Sequence, residues 1–368
     1  MSSGGRLAVF AHGMVTAVAG NGAATCAAMR AGASGVAVAN LWDKTAGQRL
    51  NAARPKMQQW WEGPGMLAPL AQAVIEECLG AAAELAPGEP GGGAQLEPDR
   101  VPILLILPPP DRPLRPAGLE RTVTEDLRQR LGRALPPGSS VISGGRTGIA
   151  QALLAAHELL SGGRCKACVI VGVESFLRQA IVNHYIDVGR LLCGTQSNGF
   201  IPGEAACAVL VGLGEAFEAP KLMISSIGRG VEPGGAGGSA ASPVTGNGLT
   251  AAIREALTLA GIEYYHLQFL ISDVNGERFK FKEATIAAGR LDRPAPAGVP
   301  PRPLGHMQIW QPAEFLGEIG AAIFPCLLGW AFEAGREAYA PSERVLLYAG
   351  EDNGDRVAIV GHFVRGVG

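Results

Sequence analysis

The sequence predicts an α/β fold built from two related halves, and three observations carry that expectation. Short apolar runs of strand type alternate with amphipathic helical runs along nearly the whole chain. The strand runs carry Val, Ile and Leu at successive positions, so both faces of the sheets are expected to lie under helices. An order of elements that closes around Glu215 to Pro220 starts again with "KLMISSIGRG", dividing the chain into residues 1–217 and 218–368.

Taken in order, the strands are "RLAVFAHGMV", "VPILLILP", "SSVISGG", "KACVIVGVES" and "AACAVLVGL" in the first half. "KLMISSIGRG", "LQFLISDVNG", "RVLLYAG" and "RVAIVGHF" follow in the second. Each is a short apolar run of strand type. Helical periodicity marks Asn21 to Ala31, Met66 to Ala86, Leu119 to Gly132 and Thr147 to Ser161, then Leu249 to Ala260, Lys282 to Ala288 and Pro312 to Arg336. The 52 glycines and 26 prolines gather in Leu85 to Arg100, Val231 to Gly248 and Asp292 to Gly305, which read as loops or linkers.

A chain of 368 residues that is 47% hydrophobic can bury a large core. Its net charge of −2, with no basic block, lacks the electrostatic footprint of a nucleic-acid binder. The N-terminus shows neither the basic start nor the apolar core of a signal peptide, and no apolar run approaches the roughly 20 residues that span a bilayer. A cytoplasmic chain with no membrane partner is expected. The seven cysteines lie in apolar surroundings that suit reduced, buried thiols. Cys165 and Cys168 form a lone CxxC without a second pair, which fits core packing better than a metal site. No cofactor or metal motif is visible.

At the level of motifs the chain resembles the β-ketoacyl-acyl carrier protein synthases of the thiolase-like superfamily. Leu7 to Val36 resembles their first strand, GxGxVT turn and "AGxSGI". "VIVGVES" resembles their "GGxE" strand. "NGFIPGEAACAVLVG" resembles the "DGFxxGEGAxxLVLE" hairpin, matching at Gly199, Phe200, Pro202, Gly203 and Glu204. "FLGEIGAAIF" resembles "xxGHxxGAAG". The resemblance runs in order over nearly the whole chain. It implies a thiolase-like fold with a five-layered αβαβα core, usually dimerised along a strand near the nucleophile.

The resemblance also implies a cysteine at a helix N-terminus, where the dipole lowers its pKa, and two histidines for decarboxylation. Counting back from Glu174 by the family spacing lands on Arg146 in "SGGRTGIAQALL", and an arginine is neither nucleophile nor base. Glu277 follows the retained Val274 and Asn275 at the first histidine position, and Glu318 of "GEIGAA" takes the second. Ala313 stands where the family lysine falls, and "YAGEDNGD", Tyr348 to Asp355, matches the glycine-rich "FGFGGTN" only loosely. His12, His157, His184, His266, His306 and His362 occupy none of these places. Arg146, Glu277 and Glu318 are therefore expected to form a closed ionic cluster at a degenerate active site.

Two functions follow. The first is a catalytically inactive synthase-like protein acting as a binding partner, scaffold or adaptor. Its partner is a second subunit in a homodimer or heterodimer, an acyl carrier protein, or a protein of a bacterial assembly or type VI secretion cluster such as an effector or its chaperone. Trp42, Trp60 and Trp61 in Asn40 to Gly63, which reads as a loop, are its candidate anchors. The alternative is an active synthase or acyltransferase with a non-standard site, for which Cys193 is the spare thiol.

Overall fold

The computed structural model describes residues 5–85, 96–239, 242–294, 296–298, 300, 302 and 305–366. Most of the expected linker at Leu85 to Arg100 thus lies outside the described residues, as do parts of the other two Gly/Pro-rich stretches.

The first half contains β1 (Leu7–Val15), α1 (Gly22–Arg30), β2 (Val36–Asp43), β3 (Gln48–Ala53), α2 (Leu67–Leu85), β4 (Ile103–Ile106) and α3 (Leu119–Leu131). It continues with β5 (Ser140–Ile142), α4 (Ile149–Ser161), β6 (Ala167–Ser175), α5 (Gln179–Asp187) and β7 (Glu204–Leu213). The second half contains β8 (Lys221–Val231), α6 (Asn247–Ala260), β9 (Phe269–Ser272), α7 (Arg278–Leu291) and β10 (Gln308–Trp310). It ends with α8 (Ala313–Leu316), α9 (Ile323–Arg336), β11 (Arg344–Gly350) and β12 (Asp355–Val364).

The strands repeat one topology twice. The first half runs β5-β4-β6-β7-β1 and the second β10-β9-β11-β12-β8. In each, the first three strands are parallel and the last two antiparallel. The two sets meet at β1 and β8 through Ala8↔Met223 and Val9↔Leu222.

Helices complete five layers. On one outer face, Leu70, Val74 and Ile75 of α2 pack with Phe10, Val169 and Leu210. On the other, Leu249, Ile253 and Leu257 of α6 pack with Leu270, Leu346 and Val360. Between the sheets, Leu153 of α4 and Phe324, Leu327 and Leu328 of α9 share one core with Ile106, Ile170 and Val209 of the first half and Ile271, Leu347 and Ile359 of the second. Every residue of α9 from Ile323 to Gly335 is buried, the one acid among them, Glu333, paired with His12.

Three expectations need correction. The single helix read over Pro312 to Arg336 is two, α8 and α9, broken where Gly317 takes φ 65° and Gly320 takes φ 51°. Part of the region read as a loop with tryptophans is the β2–β3 hairpin, and α5 was not expected at all. The segment Gly63–Leu85 is long and apolar enough to cross a membrane, contrary to the reading of the sequence. Its apolar face packs into the outer core of the first half.

A buried ionic cluster as the candidate functional site

Ligand sites of parallel α/β sheets form beyond the carboxyl ends of the strands, and this chain places its charges there. Arg112 follows β4, Arg146 follows β5, Glu174 ends β6, Asn275 and Glu277 follow β9, Glu318 lies in the chain leaving β10, and Glu351 and Asp352 follow β11. Arg190 arrives from the segment after α5.

Arg146 is 1% exposed in a 3₁₀ turn, Gly145–Thr147, that leads into α4. Its Nε donates to Glu318 Oε1 at 3.0 Å and its Nη1 to Glu351 Oε1 at 2.8 Å and Asp352 Oδ1 at 3.2 Å. Its backbone N–H donates to Glu351 Oε2 at 2.8 Å. The anion that a helix N-terminus attracts is thus the Glu351 carboxylate, and the arginine side chain folds back to neutralise it. A side chain at Gly145 would collide with that carboxylate, and its φ of +53° favours glycine as well.

The entrance to α9 is built alike. Gly320 N–H donates to Glu318 Oε1 at 2.9 Å and Ala321 N–H to Glu174 Oε2 at 2.7 Å. Glu174 also accepts from Arg112 Nε at 2.8 Å. Arg112 reaches Glu351 at 3.2 Å and Asp352 at 3.3 Å, with its guanidinium 5.4 Å from the Phe176 ring centroid.

Glu277 is not a partner of Arg146, which corrects the expected triad. Arg190 holds it in a fork, Nε at 2.6 Å and Nη2 at 3.1 Å, and the same guanidinium grips Asp352 at 2.9 and 3.1 Å. Asn275 joins the two expected glutamates by donating to Glu277 Oε2 at 3.2 Å and to Glu318. Arg112, Arg190, Glu174, Glu351 and Asp352 were missed as cluster members. The one sequence signal for them is the acidic pair in "YAGEDNGD".

Three guanidiniums therefore face five carboxylates. Burial opposes the Arg146 charge, but Glu318, Glu351 and Asp352 outweigh it and hold the pKa well above the ordinary value. Burial likewise opposes ionisation of Glu318, yet Arg146 and Lys280 pull it down to about 2. Glu351 and Asp352 are lowered against burial by the surrounding arginines. Glu174 goes the other way, raised by burial more than Arg112 lowers it. Carboxylates held ionised by fixed arginines are poor general acids. Among the described residues, no Cys, Ser or His side chain hydrogen-bonds to the cluster. A cavity of about 30 Å³, room for about one water, touches it at Arg112 and Glu174, and one of about 220 Å³ reaches it at Glu351.

The other flagged residues lie apart. Cys193 sits in a tight turn with Gln196, its Sγ 3.6 Å from the Thr195 hydroxyl. Cys165 and Cys168 have their sulfurs 3.5 Å apart. His12 pairs with Glu333 at 3.0 Å. Trp42 and Trp61 are 47% and 54% exposed, whereas Trp60 is half-buried and donates to Glu204 Oε1 at 3.1 Å.

Burial pushes the Glu204 carboxyl up to about 7, against hydrogen bonds from Ser175 and Trp60. Its proton leaves the unfolded chain near pH 4.5 but is kept by the folded one, so stability is expected to fall as pH rises from about 4.5 to 7, by about 3 kcal/mol. Urea denaturation at pH 5 and 7.5 measures this, and Glu204→Gln flattens the difference.

No protein-family profile matches the sequence, and no curated protein matches it. Solved structures do. The ishigamide ketosynthase/chain length factor matches with a TM-score of 0.66 at 19% identity, over 99% of this chain and 100% of that one. The type II PKS ketosynthase AntDE, in complex with its acyl-carrier protein AntF, matches with a TM-score of 0.71 at 14% identity, over 99% and 100%. The ketosynthase ApeO with its chain length factor ApeC from Xenorhabdus doucetiae matches with a TM-score of 0.66 at 13% identity, over 98% of each chain. The chain thus has the thiolase-like α/β fold of ketosynthases.

Proposed function

We propose that this chain is a ketosynthase-like protein without acyl-transfer chemistry, and that it works by binding another protein as a dimer partner, scaffold or adaptor. The observation that carries this reading is Arg146. The turn where the resemblance calls for a thiolate holds a buried guanidinium tied to three carboxylates, and both histidine positions hold glutamates engaged by arginines.

Surface features support a binding role. Trp42, Trp61 and Leu114 are exposed around the start of α5, where Gln179 bonds the Trp42 backbone and Glu62, and Arg178 bonds the Leu114 carbonyl. Exposed aromatics held by a rigid rim suit anchoring in a partner. Strand β5 ends its strand order, and an edge strand invites pairing with another subunit. The similar structures named above include ketosynthases with a chain length factor or an acyl-carrier protein. The partner classes are such a subunit, an acyl carrier protein, or a secretion effector and its chaperone. Binding assays against each separate them.

Incubation with a radiolabelled acyl thioester and with malonyl thioester tests the loss of chemistry. No covalent label and no decarboxylation above the rate without protein is expected. A label on Cys193 or any other cysteine, or decarboxylation abolished by Glu277→Ala or Glu318→Ala, overturns the reading.

A further inference from the structure

We infer that Cys165 and Cys168 form a redox site, a dithiol that small anionic disulfides such as oxidised glutathione convert reversibly to a protein disulfide. The two residues sit where α4 gives way to β6, in "GGRCKACVIV", and their sulfurs lie 3.5 Å apart. The sequence alone suggests that both pack into the core. The structure buries only one of them. Cys168 is fully buried in the central core and held in β6 opposite Val211 of β7, whereas Cys165 precedes the strand and lies half-buried at the edge of that core.

This division of exposure suits a two-step thiol exchange. Reactive cysteines occupy partly exposed, electropositive surroundings, and Cys165 has them: exposed Arg164 and Lys166 flank it, and no acidic residue occurs from Leu159 to Val173. The thiol of Cys168, bonded to the Cys165 sulfur, lowers the Cys165 pKa against the effect of burial. The other cysteines differ. Cys26, Cys78, Cys207 and Cys326 are buried, and half-buried Cys193 stands between Leu192 and Gly194, beside the Thr195 hydroxyl rather than a second thiol.

In the first step the Cys165 thiolate attacks one sulfur of the disulfide RSSR, forming a Cys165–S–S–R bond and releasing RS⁻. Cys168 then attacks the Cys165 sulfur, expels the second RS⁻ and closes the protein disulfide. The protons given up by the two thiols end on the two RS⁻, so two cysteines are oxidised and one RSSR is reduced to two RSH. The bond to Cys165 and burial hold the Cys168 thiol up while both residues are reduced, and the first of these causes vanishes once Cys165 carries RS. Closure brings the sulfurs about 1.5 Å nearer, to the spacing of a disulfide. Cys165 makes that movement, because β4 and β7 pair with β6 on both sides and fix Cys168.

Oxidised glutathione is the probe, applied to the whole folded protein, after which free thiols are blocked with N-ethylmaleimide in denaturant and the peptides are weighed. The peptide carrying Cys165 and Cys168 is expected to lose two hydrogens and take no maleimide, and dithiothreitol to reverse both changes. Cys168→Ser is expected to stop the reaction at a glutathione adduct on Cys165, and Cys165→Ser to leave Cys168 reduced. Arg164→Ala combined with Lys166→Ala is expected to slow oxidation about threefold at low salt. Both wild-type thiols still taking maleimide after exposure, a Cys165 adduct that never resolves, or Cys193 oxidised at least as fast overturns the inference, and this wild-type measurement decides it without any variant. The oxidised pair offers no free thiol, so acyl labelling of the oxidised protein keeps that result apart from this one.

Discussion

Arg146→Ala is expected to cost about 3–5 kcal/mol of stability, the range found when one partner of a buried pair is removed. The substitution leaves Glu318, Glu351 and Asp352 around an empty space, with Arg112 remaining beside Glu351 and Asp352 and Arg190 beside Asp352. It also removes the charge that balances Glu351 at the entrance to α4. Sequence alone suggests that restoring the family residues, Arg146→Cys with Glu277→His and Glu318→His, would disturb stability much less. The geometry reverses that expectation. Glu351 and Asp352 would stay behind without Arg146, and Arg190 would lose its fork on Glu277, so the triple variant is expected to be at least as unstable as Arg146→Ala. Chemical denaturation measures both, and a loss below about 1 kcal/mol for Arg146→Ala would sink the claim that the cluster is a structural lock.

Acid is expected to unfold the protein through the same groups. The Glu318 carboxyl is lowered from 4.5 to about 2 in the folded state. A lowered carboxyl pKa contributes stability that is complete above the unfolded value and is lost as pH falls through the folded one. The window is therefore pH 4.5 to 2, and Glu318 alone accounts for about 3 kcal/mol across it. Glu351 and Asp352 are lowered too and add to the same limb. Glu174 and Glu204, both raised by burial, act with the opposite sign and weaken the fold as pH rises above about 4.5. Urea midpoints between pH 2 and 8 should peak near pH 4.5 to 5 and drop steeply on the acid side. A midpoint that holds flat from pH 5 to 2.5 would contradict the ionised cluster.

Much of this architecture was legible in the sequence because it rests on local signals. Apolar runs located the strands that lead to the site, and the match around Gly317 to Ala322 located Glu318. Arg146 stood out because a cation opens a helix. What stayed hidden depends on contacts between distant residues. Arg112 and Arg190 lie in loops without periodicity, and the pairing of Arg146 with Glu351 spans 205 positions. Glu277 was assigned to Arg146 because a spacing fixes which loop a residue sits on, not which of several nearby cations its carboxylate meets. The break in Pro312 to Arg336 was hidden because apolar residues run on through it, and only Gly317 and Gly320 mark where α9 starts.

The entrances of α4 and α9 are stitched crosswise. The first belongs to the N-terminal half but is capped by Glu351 of the other, and the second belongs to the C-terminal half but donates the Ala321 N–H to Glu174 of the first. Each half thus carries the stopper for the other's central helix, and the two also share one core. A chain severed between Leu213 and Lys221 would leave α4 without its Glu351 cap and α9 without its bond to Glu174, with an apolar face exposed on each half, arginines unpaired in the first and carboxylates unpaired in the second. Although the topology repeats, neither repeat is expected to fold alone, and the molecule is expected to melt as one cooperative body.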